Sequence, residues 1–113
     1  MKIKYTLILP SYNEFENLKI LIPEIFKCFN HNNYQIIVVD DNSEDNSTKN
    51  LKKIFKAQKK ITYILRKKKR DLGLSINEGI KKARGDFLIV MDSDFNHRPK
   101  DLKKMIKKFE TSN

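Results

Sequence analysis

Two carboxylates one residue apart, Asp92 and Asp94, follow directly on the apolar run Phe87-Leu88-Ile89-Val90-Met91. A five-residue apolar run is the length of a buried strand. Residues i and i+2 share a side of an extended chain, so the two acids point the same way. Like charges this close repel unless a cation lies between them. Hard divalent cations take oxygen ligands, and magnesium favours one or two carboxylates together with substrate phosphates. Asp92-Ser93-Asp94 therefore reads as a site for a metal and a diphosphate. The plainer reading is a solvated turn, since aspartate is a common turn residue.

Positioning such a pair takes a sheet. Short apolar runs at 5–9, 35–39, 61–65 and 87–91 predict four strands. Helical periodicity predicts helices between them over 15–29, 47–57 and 75–84, and a last helix from Pro99. Leu18, Leu21, Ile22, Ile25, Phe26 and Phe29 give the first helix one apolar face, with Pro23 expected to kink or divide it. Leu51, Ile54 and Phe55 are the expected inward residues of the second. Ser75-Ile76-Asn77-Glu78 has the form of a capping box opening the third, and Gly85 is placed to end it. Leu102, Met105, Ile106 and Phe109 form the apolar side of the last.

Strands separated by single helices pair in parallel through right-handed crossovers. The expected fold class is α/β, an open, mostly parallel sheet with helices covering both faces, of Rossmann-like nucleotide-binding type. Its 113 residues suffice for one domain spanning 1–113. Ligands of such sheets bind beyond the carboxyl ends of the strands. Three polar strand exits fall there: Pro10-Ser11-Tyr12-Asn13-Glu14, Asp40-Asp41-Asn42-Ser43, and Asp92 through His97. Tyr12 can stack on a base, and Glu14 or Asp41 can accept from base or ribose. Turn and cap duty is the plainer role for each, as it is for Asp40 and Asn13. The chain has neither a G-x-x-x-x-G-K-S/T loop nor a G-x-G-x-x-G turn, which argues against a P-loop enzyme or a dehydrogenase.

The formal charge of +10, from 24 basic and 14 acidic residues, suits an anionic partner, although lysine-rich composition alone would also give it. Arg66-Lys67-Lys68-Lys69-Arg70 reads as a solvated loop or as a contact with donor phosphates or an anionic membrane. The lysines of the last helix read as a solvent face. Cys28 is single, so no disulfide forms within the chain, in keeping with a reducing compartment. No apolar run approaches the ~20 residues of a membrane span, and the start carries no signal-peptide pattern. The expected location is cytoplasmic, with peripheral contact at the membrane face.

In order, Leu9-Pro10-Ser11-Tyr12-Asn13-Glu14, Val38-Val39-Asp40-Asp41-Asn42-Ser43, Leu72-Gly73-Leu74-Ser75 and Met91-Asp92-Ser93-Asp94 resemble the motifs of family-2 glycosyltransferases with a GT-A fold. The continuation Phe95-Asn96-His97-Arg98-Pro99 is most similar to the polyprenol-phosphate (dolichol-phosphate) mannosyltransferase branch. The resemblance implies that Pro10, Tyr12, Glu14, Val39 and Asp41 contact the nucleoside of a nucleotide-sugar donor. It implies that Asp92 and Asp94 bind Mg²⁺ or Mn²⁺ and the diphosphate, with Asp94 the catalytic candidate, Ser93 near the donor, Asn96 a further metal ligand and His97 a brace for this loop. Asn42 stands where glycine is frequent, and asparagine also tolerates left-handed backbone.

The implied reaction is inverting transfer of a sugar from a nucleotide diphosphate, GDP-mannose or a UDP-sugar, to an acceptor such as a polyprenyl phosphate. Members of the family continue into acceptor-binding segments, so the chain resembles the donor-binding half alone. The expectation is a truncated or split enzyme that binds donor, with a partner chain supplying the rest and a fourth strand whose edge is bare. The competing reading is a non-catalytic nucleotide- or nucleic-acid-binding module. Nucleic acid is not the expected partner, because no aromatics interleave with the basic run. A nucleotidyltransferase would need a glycine-rich basic turn after the first strand, which Pro10 to Glu14 is not.

Overall fold

The computed structural model describes residues 2–93 and 99–111. Four parallel strands, β1 (Tyr5–Ser11), β2 (Tyr34–Asp40), β3 (Ile61–Leu65) and β4 (Phe87–Val90), form one sheet in the order β3-β2-β1-β4. The helices are α1 (Phe15–Phe26), α2 (Ser47–Ile54), α3 (Leu72–Lys82) and α4 (Pro99–Thr111). β1 and β2 are buried at every position, which is why they read as unbroken apolar runs. Strand order reverses at β1: the chain steps outward to β2 and β3, then returns to lay β4 on the other side. An α/β sheet opens its ligand crevice at such a reversal, beyond the carboxyl ends of its strands.

The two faces are covered unequally. On one, Leu7, Leu9, Ile36, Val38 and Ile89 meet the apolar sides of α1, α2 and α4 in the main core. On the other, α3 alone lies over Ile8, Ile37 and Val39. Gly79 allows that approach, because a Cβ there would stand 2.7 Å from Ile8 Cγ2. The register pairs Thr6 with Leu88 and Ile8 with Val90, so these β4 side chains share the α3 face. α3 does not cover them, and Leu88 and Val90 are 47% and 39% exposed. β4 is thus an edge strand buried on one face only, where the sequence predicts a fully buried one.

Other boundaries also differ from the sequence pattern. α1 ends at Phe26 rather than Phe29 and runs through Pro23 as a single helix. α2 stops at Ile54, which is 51% exposed; Leu51 is the inward residue, with Phe55 packed at the margin. α3 starts a turn earlier than its capping-box pattern suggests. The Asp71 carboxylate caps it by accepting from Leu74 N at 2.9 Å, and Ser75 is buried inside the helix instead of capping it. α3 is over by Lys82, so Gly85 does not end it; Gly85 sits where any Cβ would meet the Thr6 backbone at 2.7 Å. Asn42 does adopt left-handed backbone, with φ 68°, and so do Asn13 and Asn46.

Arg66 opens the basic run, yet it is buried and ion-paired with Asp41 across the exits of β3 and β2. The other Asp41 oxygen accepts from Asp71 N at 2.7 Å, which ties the start of α3 to the same point. Lys67 to Arg70 remain exposed.

Three stability measurements follow from this packing. Arg66→Met leaves the Asp41 charge buried without its counter-ion and lowers unfolding free energy by about 3–5 kcal/mol in urea titration. Gly79→Ala gains about 1 kcal/mol of helix propensity. It also overpacks α3 against Ile8 by about 1–3 kcal/mol, so the net change in melting temperature is downward. Burial pushes the Tyr63 phenol up from 10.0 to about 12, and its hydroxyl has no partner among the described residues. The folded chain then keeps a proton that the unfolded chain releases, so stability falls as pH rises from about 10 to about 12. Tyr5 and Tyr34 are raised by burial as well and act in the same sense. Tyr63→Phe therefore shallows that alkaline limb without removing it.

Candidate functional site

A cleft of ≈ 260 Å³ lies over the carboxyl ends of β1, β2 and β4. Adjacent strands are about 4.8 Å apart, so the exits of β2 and β4 flank that of β1 at a separation of roughly 10 Å. Parallel pairing sends every strand out on the same edge. Sequence-distant residues therefore meet there without further design.

Of the residues singled out by sequence, Pro10, Tyr12, Glu14, Asp41, Asp92 and Ser93 line this cleft. Val39 does not; its side chain is fully buried beside Ile8 and Ile37. Val39 lies within β2 on the face that α3 covers, whereas Asp41 follows the strand's last residue and reaches the rim. Asp94, Asn96 and His97 lie outside the described residues. Among the described residues, no group of three or more His, Cys, Asp or Glu side chains gathers in one place.

Each rim residue is fixed by a local bond. Ser93 is buried and donates its hydroxyl to Pro10 O at 3.1 Å, which holds the β4 exit against β1. Asn13 N donates to Ser43 Oγ and Glu44 N to Asn13 Oδ1, both at 2.8 Å, which laces the first loop to the second. The Tyr12 hydroxyl reaches Glu44 Oε1 at 3.5 Å, and Glu14 accepts from Asn17 Nδ2 at 2.6 Å. Asp40 serves the loop itself: its two oxygens accept from Ser43 N at 2.9 Å and Thr48 Oγ1 at 2.7 Å. Of the aspartate pair on β2, then, only Asp41 lines the cleft.

Four further lining residues were not singled out as site residues: Ser11, Arg70, Leu72 and Ser75; the sequence placed Arg70 in the basic run and Leu72 and Ser75 in a family motif. The Arg70 guanidinium lies 4.0 Å from the centroid of the Tyr12 ring, a cation–π contact across the cleft wall. The signal for this group was the Asp71 cap, an acid placed just ahead of a helical pattern. It brings α3, and Leu72 and Ser75 with it, back to the rim. The arrangement offers an aromatic face, a planar cation and hydrogen-bonding groups at the β2 side, and a carboxylate at the β4 side. A molecule with a flat ring at one end and a charged, metal-binding group at the other matches it.

Comparison with known proteins agrees with this architecture. The Glycosyl transferase family 2 model matches residues 6–113. A dolichol-phosphate mannosyltransferase of Pyrococcus furiosus is 36% identical over 103 residues, 91% of this chain and 29% of the relative. A dolichol-phosphate mannosyltransferase of Saccharomyces cerevisiae is 31% identical over 108 residues, 93% of this chain and 40% of the relative. A mannosyltransferase of Pyrobaculum calidifontis, solved with GDP-Man and Mn²⁺, superposes with a TM-score of 0.74 at 20% identity, over 83% of this chain and 28% of that one. The chain thus spans between about a quarter and two fifths of these proteins' lengths. The match across nearly its whole length identifies the chain as a member of glycosyl transferase family 2.

Proposed function

We propose that the cleft binds a nucleotide-sugar donor and that the chain serves the donor half of a dolichol-phosphate mannosyltransferase-like reaction. The observation that carries this reading is the convergence of Tyr12, Asp41 and Asp92 from three strand exits on one cleft. Tyr12 supplies a face for the base. Asp41 has one oxygen on Arg66 and one on Asp71 N, and a carboxylate keeps further lone pairs able to accept from a base or ribose donor. Pro10 and Glu14 complete the nucleoside side, with Val39 buried in the core behind it. The diphosphate then extends toward Asp92 and Ser93.

A divalent cation, Mg²⁺ or Mn²⁺, fits the chemistry of the oxygen donors at the β4 exit. Asp92 and Asp94 would hold it, with Asn96 as a further ligand. Held by these residues, such an ion would supply Lewis-acid stabilisation of negative charge on a diphosphate leaving group. Asp94 is the catalytic candidate of the pair. The transfer is an inverting displacement at the anomeric carbon. A polyprenyl-phosphate oxygen is already anionic and attacks without a strong general base, which makes a lipid phosphate the favoured acceptor. Exposed lysines 67–69 beside the cleft suit a phosphate-bearing or anionic membrane surface. No helix among the described residues is long and apolar enough to cross a membrane. The remaining length typical of the relatives, on the same or a partner chain, would supply the acceptor side.

Calorimetry on the full chain tests this. GDP or UDP binds in the presence of Mn²⁺ and loses at least about tenfold in affinity on chelation or in Asp94→Ala, while the fold of that variant is unchanged by circular dichroism. Metal-independent, salt-sensitive binding of oligonucleotides, with no nucleotide binding, would instead identify a nucleic-acid module.

A further inference from the structure

Helix α3 carries a buried hydroxyl with no partner among the described residues. Ser75 is 0% exposed, its Oγ makes no hydrogen bond to any of them, and the residue forms part of the cleft wall with Pro10, Asp41 and Leu72. Its backbone is ordinary helix, with Ser75 N donating to Asp71 O at 3.0 Å. A helical serine can satisfy its hydroxyl on the carbonyl four residues back, and this one does not. A buried hydroxyl without a partner destabilises a fold, and alanine would fill the same space without that cost. A group kept at a loss in stability, in the wall of a binding cleft, has its use in a ligand.

Position says which part of the ligand. The Asp41 carboxylate anchors the start of α3 through Asp71 N, one turn ahead of Ser75, whose N donates to Asp71 O. Asp92 leaves β4 on the opposite side of β1. Gly79, one turn further along α3, lets the helix approach Ile8 of β1 and Val39 of β2 closely. We propose that Ser75 is a nucleoside-positioning residue whose hydroxyl pairs with a polar edge of the donor's base or ribose, and not with its phosphates. This rests on the nucleotide-sugar reading of the cleft.

The test compares the full chain with Ser75→Ala by calorimetry, using GDP, UDP and pyrophosphate, each with Mn²⁺, alongside thermal melting. The variant should bind the preferred nucleotide about fivefold more weakly, the loss of one neutral hydrogen bond. It should bind pyrophosphate like the parent and melt at the same or a higher temperature. Unchanged nucleotide affinity in the variant overturns the inference and leaves the donor reading standing. An equal loss for pyrophosphate, or a lower melting temperature, overturns it by placing the hydroxyl at the phosphates or in the fold. A parent chain that binds neither nucleotide removes both readings.

Discussion

The Asp41 carboxylate is the junction on which the cleft depends. One oxygen holds Arg66 at the exit of β3, and the other holds the backbone of Asp71 at the start of α3. The charge is buried, so it needs both partners: a lone carboxylate taken from water costs several kcal/mol (roughly, even after relaxation). Because the partners come from two different elements, satisfying the charge also fixes where those elements stand. Arg70, Leu72 and Ser75 reach the cleft as a consequence.

This explains a division of labour within the basic run. Arg66 is structural, buried against an acid. Arg70 faces the cleft, over Tyr12. Lysines 67–69 between them stay in solvent. Arginine suits both fixed roles, since its planar fork pairs with carboxylates and stacks on rings, whereas lysine keeps a strongly hydrated charge. A segment that looks uniform in composition is sorted by side-chain geometry.

The sheet shows a similar economy. Its most buried strands, β1 and β2, carry the two polar loops that are laced together through Asn13, Ser43 and Glu44. β4, at the edge and open on one face, carries Asp92 and Ser93. The β2 side of the cleft, where we propose the nucleoside lies, is therefore built on the central strands. The β4 side hangs on the margin, stapled by Ser93 to Pro10.

The alternation of elements, the parallel pairing and the three polar strand exits were legible in the chain. Period-2 and period-3.6 patterns report burial on one face, and parallel strands must share an exit edge. Tyr12, Asp41 and Asp92, singled out from those exits and from the motif resemblance, line one cleft. The sequence could not reveal that Arg66 is buried, that Val39 turns inward, that Ile54 is exposed, or that Ser75 lies within α3 and not at its cap. Three of these depend on a partner far along the chain: Asp41 for Arg66, Ile8 for Val39, and the Asp71 cap anchored on Asp41 for Ser75. Local pattern specifies which residues can be buried or charged. Only the closing of the sheet decides which long-range partner satisfies them, and so which groups remain for a ligand.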